Sequence, residues 1–168
     1  MTDLRIGVVE LGMMGRHHAR IAQTLDGVEF VGAADALSDR FGVVKSGVLV
    51  ETYAELIALG IDAAVVAVPT EGHSEVGIAL AEAGVHALIE KPIAATSVEA
   101  AILVDCFEQA NLVLATGHVE RFNPALIEIR RKLAAGDLGN VFSISTTRIG
   151  PFPGRIKDVG VTKDLATH

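Results

Sequence analysis

The sequence predicts an α/β chain built on a doubly wound parallel sheet, and three observations carry that expectation. Short runs of Val, Ala, Ile and Leu recur along the chain. They are nearly continuous rather than alternating, as strands covered on both faces are. Longer amphipathic stretches separate them, so strands alternate with helices. A glycine-bearing turn joins the first run to the first helix, where a dinucleotide fold places its phosphate loop.

Taken in order, the strand candidates are Leu4–Val9, Val28–Ala34, Val48–Val50, Ala63–Val68, Val85–Ile89 and Leu112–Ala115. The helix candidates are Arg16–Leu25, Ser38–Ser46, Tyr53–Leu59, Glu71–Ala83, Ser97–Ala110 and Pro124–Ala135. Thr96 and Ser97 are N-cap candidates, with Glu99 or Ala100 in the first turn. Gly84 suits the position just past a helix end, and Pro124 suits a first helical position. Right-handed crossovers join the parallel strands. The pattern changes after Gly139. In Asn140–Ile149, Val141, Ser143, Ser145 and Thr147 alternate with Phe142, Ile144, Thr146 and Arg148, which predicts one long strand with two unlike faces. A loop over Gly150–Gly154 follows, then a turn with one or two helical turns over Asp158–His168. This reads as the start of a second, α+β domain. The expected division is a Rossmann-type dinucleotide domain over 1–121 and an incomplete second domain over 122–168.

Composition narrows the function. Half of the 168 residues are hydrophobic and 21% are charged, which excludes a disordered chain. Aromatics make up 4% and Trp is absent, so the core is expected to be Val, Ala, Leu and Ile. The formal net charge of −7 disfavours nucleic acid and anionic membrane as partners. The single cysteine, Cys106, excludes an intrachain disulfide and fits a reducing, cytoplasmic setting. Met1–Glu10 lacks the positive n-region and cleavage site of a signal peptide. The longest apolar runs fall far short of the ~20 residues a spanning helix needs.

Chemistry concentrates at the expected strand ends. The first turn is Glu10-Leu11-Gly12-Met13-Met14-Gly15. Gly12 lets the backbone approach a pyrophosphate, and Gly15 lets the helix pack close to the strand. The Met13 and Met14 N–H groups would then meet phosphates at a positive helix end. The usual pattern is G-x-G-x-x-G, and Glu10 replaces the first glycine. A carboxylate near a diphosphate opposes binding unless it turns away, so a tolerated substitution and a weakened site both stand open. Asp35 ends the second strand and can accept hydrogen bonds from both hydroxyls of an adenosine ribose. It would repel a 2′-phosphate, which favours NAD over NADP, although Arg40 could pair such a phosphate. No His, Cys or carboxylate cluster has metal-ligand spacing. Cys106 beside Phe107 reads as a packing residue.

Six segments resemble the Gfo/Idh/MocA oxidoreductase family. They are Glu10–Ala19 with its trailing His18-Ala19, Pro69-Thr70-Glu71-Gly72-His73, Glu90-Lys91-Pro92, Gly117–Pro124, Gly150–Arg155 continued by Asp158–Val161, and Asp164–His168. Gly117–Pro124 and Gly150–Val161 are most like the branch that acts on nucleotide-linked sugars. The resemblance implies a hydride transfer between a sugar or nucleotide-sugar secondary alcohol and NAD. His168 would be the base, Asp164 would orient that imidazole or bind a substrate hydroxyl, and Lys91 would be the cation beside the reacting or a neighbouring oxygen, also touching the nicotinamide ribose. Thr70 and His73 would approach the nicotinamide ribose, with Glu90 on the nicotinamide side. His73 alternatively caps a helix, and Lys91 alternatively is a solvated side chain. His118 and Asn123 face substrate or serve structure. The second domain would bind substrate and pair subunits, so a homo-oligomer is expected. Because His168 ends the chain at the residue the resemblance makes catalytic, the sequence reads as part of a longer protein. Two alternatives stand beside this reading: an inositol (cyclitol) dehydrogenase, and a non-catalytic dinucleotide-binding module.

Overall fold

The computed structural model describes residues 3–147. A first compact unit ends at Gly117 and a second begins at His118. In the first unit, six parallel strands form one sheet: β1 (Leu4–Val9), β2 (Val28–Ala34), β3 (Val48–Val50), β4 (Ala63–Val66), β5 (His86–Ile89) and β6 (Leu114–Thr116). Their spatial order is β3-β2-β1-β4-β5-β6, so the direction of winding reverses between β1 and β4. That reversal opens a crevice at the carboxyl ends of β1 and β4.

Four helices belong to this unit: α1 (Gly15–Ala22), α2 (Tyr53–Ala58), α3 (His73–Glu82) and α4 (Ser97–Gln109). The strand residues divide between two buried clusters, one on each face of the sheet. Val9, Val31, Val66 and Ile89 pack with Leu56, Leu80, Leu103 and Phe107. Val8, Phe30 and Ala33 pack with Leu11, Ala19 and Ala22. Alternate residues of each strand thus meet helices on opposite faces, which is why the runs are apolar throughout. α2 and α4 start at capping boxes. Thr52 accepts from the Glu55 N–H at 3.2 Å, and Thr96 accepts from the Glu99 N–H at 3.2 Å. Of the two N-cap candidates for α4, the structure selects Thr96. Gly84 follows the end of α3 with φ +75°, a left-handed geometry that suits glycine.

Two expected elements are corrected. Ser38–Ser46 is a loop, not a helix. Ser38 has φ +71° and Gly42 has φ +59°, both incompatible with a helical run. The Asp39 side chain accepts the Val44 N–H at 2.8 Å, offering the backbone an alternative to helical bonding. Val43 and Val44 still pack beneath the sheet, so their apolar spacing serves the core without a helix. Residues 140–147, the described part of the expected strand Asn140–Ile149, carry no strand pairing and are exposed. Alternation prepares a strand, but pairing with a second segment is what makes one, and residues 140–147 pair with none of the described strands. Gly150–Arg155 and Asp158–His168 lie outside the described residues. α3 also begins later than expected, because a 3-10 turn at Thr70–Gly72 precedes it.

The second unit holds α5 (Pro124–Ala134) after a 3-10 turn at Val119–Phe122. Asn123 caps α5 by accepting the Ala125 N–H at 3.0 Å, and Pro124 occupies its first turn.

Gly32 on β2 faces the β3 backbone so closely that an added Cβ would overlap the Val48 carbonyl oxygen. Backbone cannot yield as a flexible side chain would. Gly32→Ala should therefore destabilise by about 1–3 kcal/mol, and a thermal melt should show a midpoint several degrees lower.

Candidate functional site

The carboxyl ends of β1, β2, β4 and β5 bring most of the expected residues to one edge of the sheet. The turn after β1 wraps the start of α1. Gly15 is indispensable there, because an added Cβ would overlap the Glu10 carbonyl oxygen and stand 3.3 Å from the Ala67 Cβ. Helix α1 thus rests directly on the ends of β1 and β4. No side chain caps α1 at Met14, and Met13 and Met14 are exposed. The amides that open this helix keep the positive end that an anion seeks.

Asp35 locks this turn to β2. One carboxylate oxygen accepts the Leu11 N–H at 2.8 Å and the other accepts the Leu37 N–H at 2.7 Å. Each oxygen has a further lone pair, so ribose hydroxyls can still be accepted. Beyond Asp35, the guanidinium of Arg16 lies 4.4 Å from the centre of the Phe41 ring and that of Arg40 lies 5.8 Å from it.

Glu10 is the one mismatch. Its φ of +71° is left-handed, the conformation for which the usual glycine exists. Its Oε1 lies 2.7 Å from where a Cβ on Gly12 would be, so the carboxylate leans over the open face of Gly12. Burial first, and then the Asp35 charge, push the Glu10 carboxyl above its ordinary value, while Arg40 pulls it back. Otherwise the turn, the uncapped helix and Asp35 fit a dinucleotide.

β4 and β5 supply the other half. Thr70 is buried in the 3-10 turn after β4. His73, 1% exposed, begins α3 and places Nδ1 2.8 Å from the Pro92 carbonyl and Nε2 2.9 Å from the Val68 carbonyl. It ties the loop after β4 to the loop after β5, and neither ring nitrogen faces outward. Glu90, 6% exposed, directly follows β5. The His18 Nε2–H donates to its Oε1 at 2.8 Å, and the Lys91 N–H donates to its Oε2 at 3.2 Å. Burial alone would raise the Glu90 carboxyl. The His18 hydrogen bond, the Lys91 N–H and the charges of both residues outweigh it and hold the group below its ordinary value. Such a contribution is complete above the unfolded pKa and is lost as pH falls through the folded one. Lys91 precedes Pro92 across a cis peptide.

Gly12, Met13, Met14, Gly15 and Asp35 thus gather around the β1 and β2 ends, and Thr70, His73, Glu90 and Lys91 around the β4 and β5 ends. Asp164 and His168 lie outside the described residues. Asn123 serves as a helix cap. Sequence reading overlooked two features: the left-handed backbone at Glu10 and the His18–Glu90 pair. His18 and Glu90 each stood in a recognised motif, but 72 residues of separation concealed that they meet. Among the described residues no group of His, Cys, Asp or Glu could hold a metal ion. None of the described helices is long and apolar enough to cross a membrane.

Residues 4–118 match the model of the oxidoreductase family with an NAD-binding Rossmann fold. The chain is 32% identical to the UDP-N-acetylglucosamine 3-dehydrogenase of Acidithiobacillus ferrooxidans, over 100% of this chain and 52% of that protein. A solved structure of that enzyme superposes with a TM-score of 0.71, covering 78% of this chain and 44% of its own. Inositol 2-dehydrogenase 1 of Saccharopolyspora erythraea is 33% identical, over 82% of this chain and 43% of that protein. The structure of GenD2 from gentamicin A biosynthesis, in complex with NAD, gives a TM-score of 0.72 at 25% identity, covering 82% of this chain and 40% of that one. The chain belongs to this oxidoreductase family, and it spans about half the length of the curated relatives it matches.

A carboxyl whose pKa rises on folding favours the folded state below its unfolded pKa and loses that contribution as pH rises through the folded value. The Glu10 charge is therefore a burden at neutral pH. Glu10→Gln should melt higher than wild type at pH 7, with the gap closing toward pH 4. Glu10→Gly removes both the charge and the left-handed strain, so NAD titrated by calorimetry should bind about tenfold more tightly, or ~1.4 kcal/mol. Equal affinities would mean that Glu10 swings clear of the diphosphate.

Proposed function

We propose that this member of the NAD-binding oxidoreductase family is a dehydrogenase that moves a hydride between a secondary alcohol of a sugar or nucleotide-linked sugar and NAD. The observation that carries this reading is Lys91 beside a buried, charged Glu90, at the same sheet edge as the Gly12–Gly15 turn and Asp35. When bound, NAD supplies the hydride acceptor. The amides of Met13 and Met14 hold its diphosphate, with Gly12 and Gly15 giving close approach. Asp35 accepts from the adenosine ribose and disfavours a 2′-phosphate, which supports NAD over NADP. Thr70 and Glu90 line the nicotinamide side, and His73 serves there by holding the two loops together.

Lys91 hydrogen-bonds the reacting oxygen and stabilises the negative charge that grows on it. His168 takes the hydroxyl proton, as an imidazole with an ordinary pKa near 6.5 is suited to do. Asp164, four residues earlier, orients that ring or a substrate hydroxyl. A dinucleotide domain over 1–121 and the beginning of a substrate and oligomerisation domain over 122–168 fit this division of labour. A cytoplasmic homo-oligomer is part of the same reading, supported by the single cysteine and by family resemblance. The identity to UDP-N-acetylglucosamine 3-dehydrogenase supports a nucleotide sugar as substrate. The identity to inositol 2-dehydrogenase 1 supports a cyclitol as second choice.

NADH formation by the full-length protein, with UDP-N-acetylglucosamine, related nucleotide sugars and inositols, tests the reading. Turnover is expected on a nucleotide sugar. Lys91→Ala should lower kcat by ~10²–10⁴ while NAD still binds. Tight NAD binding without turnover on any of these alcohols would identify a non-catalytic binding module instead.

A further inference from the structure

Glu90 is a buried carboxylate confined on several sides. Its Oε2 receives the Lys91 N–H at 3.2 Å. On another side stands Gly117, just past β6, where an added Cβ would lie 3.0 Å from Oε2, 3.1 Å from Cδ and 3.2 Å from Oε1. On a third side stands His18, one helical turn beyond Gly15 on α1, with Nε2 2.8 Å from Oε1. His18 is itself largely buried, and its side chain is 20% exposed. A carboxylate oxygen only accepts, so the Nε2 of His18 carries the proton of this bond. The bond joins the helix that receives the diphosphate to the strand end that carries Lys91. Gly15 brings α1 close enough for it, and the missing side chain at Gly117 leaves the room that the carboxylate occupies.

We infer that His18 is a positioning residue: through its hydrogen bond to Glu90 it sets the nicotinamide-side wall formed by Glu90 and Lys91. This rests on the functional reading above, in which that strand end faces the nicotinamide. His18 does not reach the substrate in this role. Without it, Glu90 keeps its space beside Gly117 and its Lys91 N–H but loses the donor that fixes Oε1. The carboxylate then turns, and the Lys91 backbone bonded to it follows. The diphosphate turn, held separately by Asp35 and Gly15, keeps its shape.

The consequence is a selective loss. Full-length wild type, His18→Ala and His18→Gln are titrated with NADH and with ADP-ribose, which lacks the nicotinamide. Thermal melts run in parallel. In His18→Ala, NADH should bind at least fivefold more weakly, while ADP-ribose stays within twofold of wild type. In His18→Gln, whose amide N–H can reach the same oxygen, NADH affinity should return to within twofold of wild type. If His18→Ala does not fold, His18→Met, similar in size and without a donor, carries the same comparison. Equal losses for both ligands, or no loss for either, would overturn the inference while leaving the functional reading intact. Wild type that binds neither ligand would overturn the functional reading, and this inference with it.

Discussion

Helix α1 begins against the carbonyl of Glu10, and the absence of a side chain at Gly15 makes that approach possible. The rest of the site depends on this contact. It sets α1 on the two strand ends where the winding reverses, so the helix amides open into the crevice. It lets Leu11 sit within reach of Asp35, which ties the turn to β2. One turn later along the same helix, it delivers His18 to Glu90 at the end of β5. A methyl group at residue 15 would push the helix outward and disturb all three relations together.

The buried polar residues show where the molecule departs from a plain hydrocarbon core. Thr70, His73 and Glu90 are the buried polar or charged residues among those described, and all three stand at the ends of β4 and β5. A buried charge is tolerated when it is paired and hydrogen-bonded, and Glu90 is both. His73 spends both ring nitrogens on carbonyls of two different loops. These loops would otherwise be free to move over the apolar interior. The polar ties give a fixed shape to the segments that carry Lys91. Glu10 follows a different logic, since its charge is half-buried beside another carboxylate and its backbone is left-handed. Sites commonly hold strain of this kind where function constrains a local choice, and here a carboxylate leans over the open face of Gly12.

Much of the fold was legible because parallel strands covered on both faces must be apolar at every position. β1, β2 and β3 start and stop where their apolar runs do. β4 and β5 are shorter than their runs: the ladder ends at Val66, with Ala67 giving one last bond to the Val9 carbonyl, and Val85 packs in the core before β5 begins. Ser38–Ser46 misled because Val43 and Val44 have core spacing, while Asp39 and two left-handed residues exclude a helix. Residues 140–147 misled for the converse reason: their alternation is strand-like, but pairing is a property of two segments, not one.

By itself the sequence determined the sheet, its parallel sense, the position of the glycine-bearing turn after β1 and the family to which the chain belongs. These follow from local patterns: continuous apolar runs, glycines at a strand–helix junction, and short motifs at strand ends. Tertiary structure alone decided how the motifs meet. It placed the Glu10 carboxylate over Gly12, spent both nitrogens of His73 on loop carbonyls, and brought His18 to Glu90 across 72 residues. Composition and periodicity record which residues are buried or turn the chain. The partner of a buried polar atom depends on which strands become neighbours, and that is settled only when the sheet closes around it.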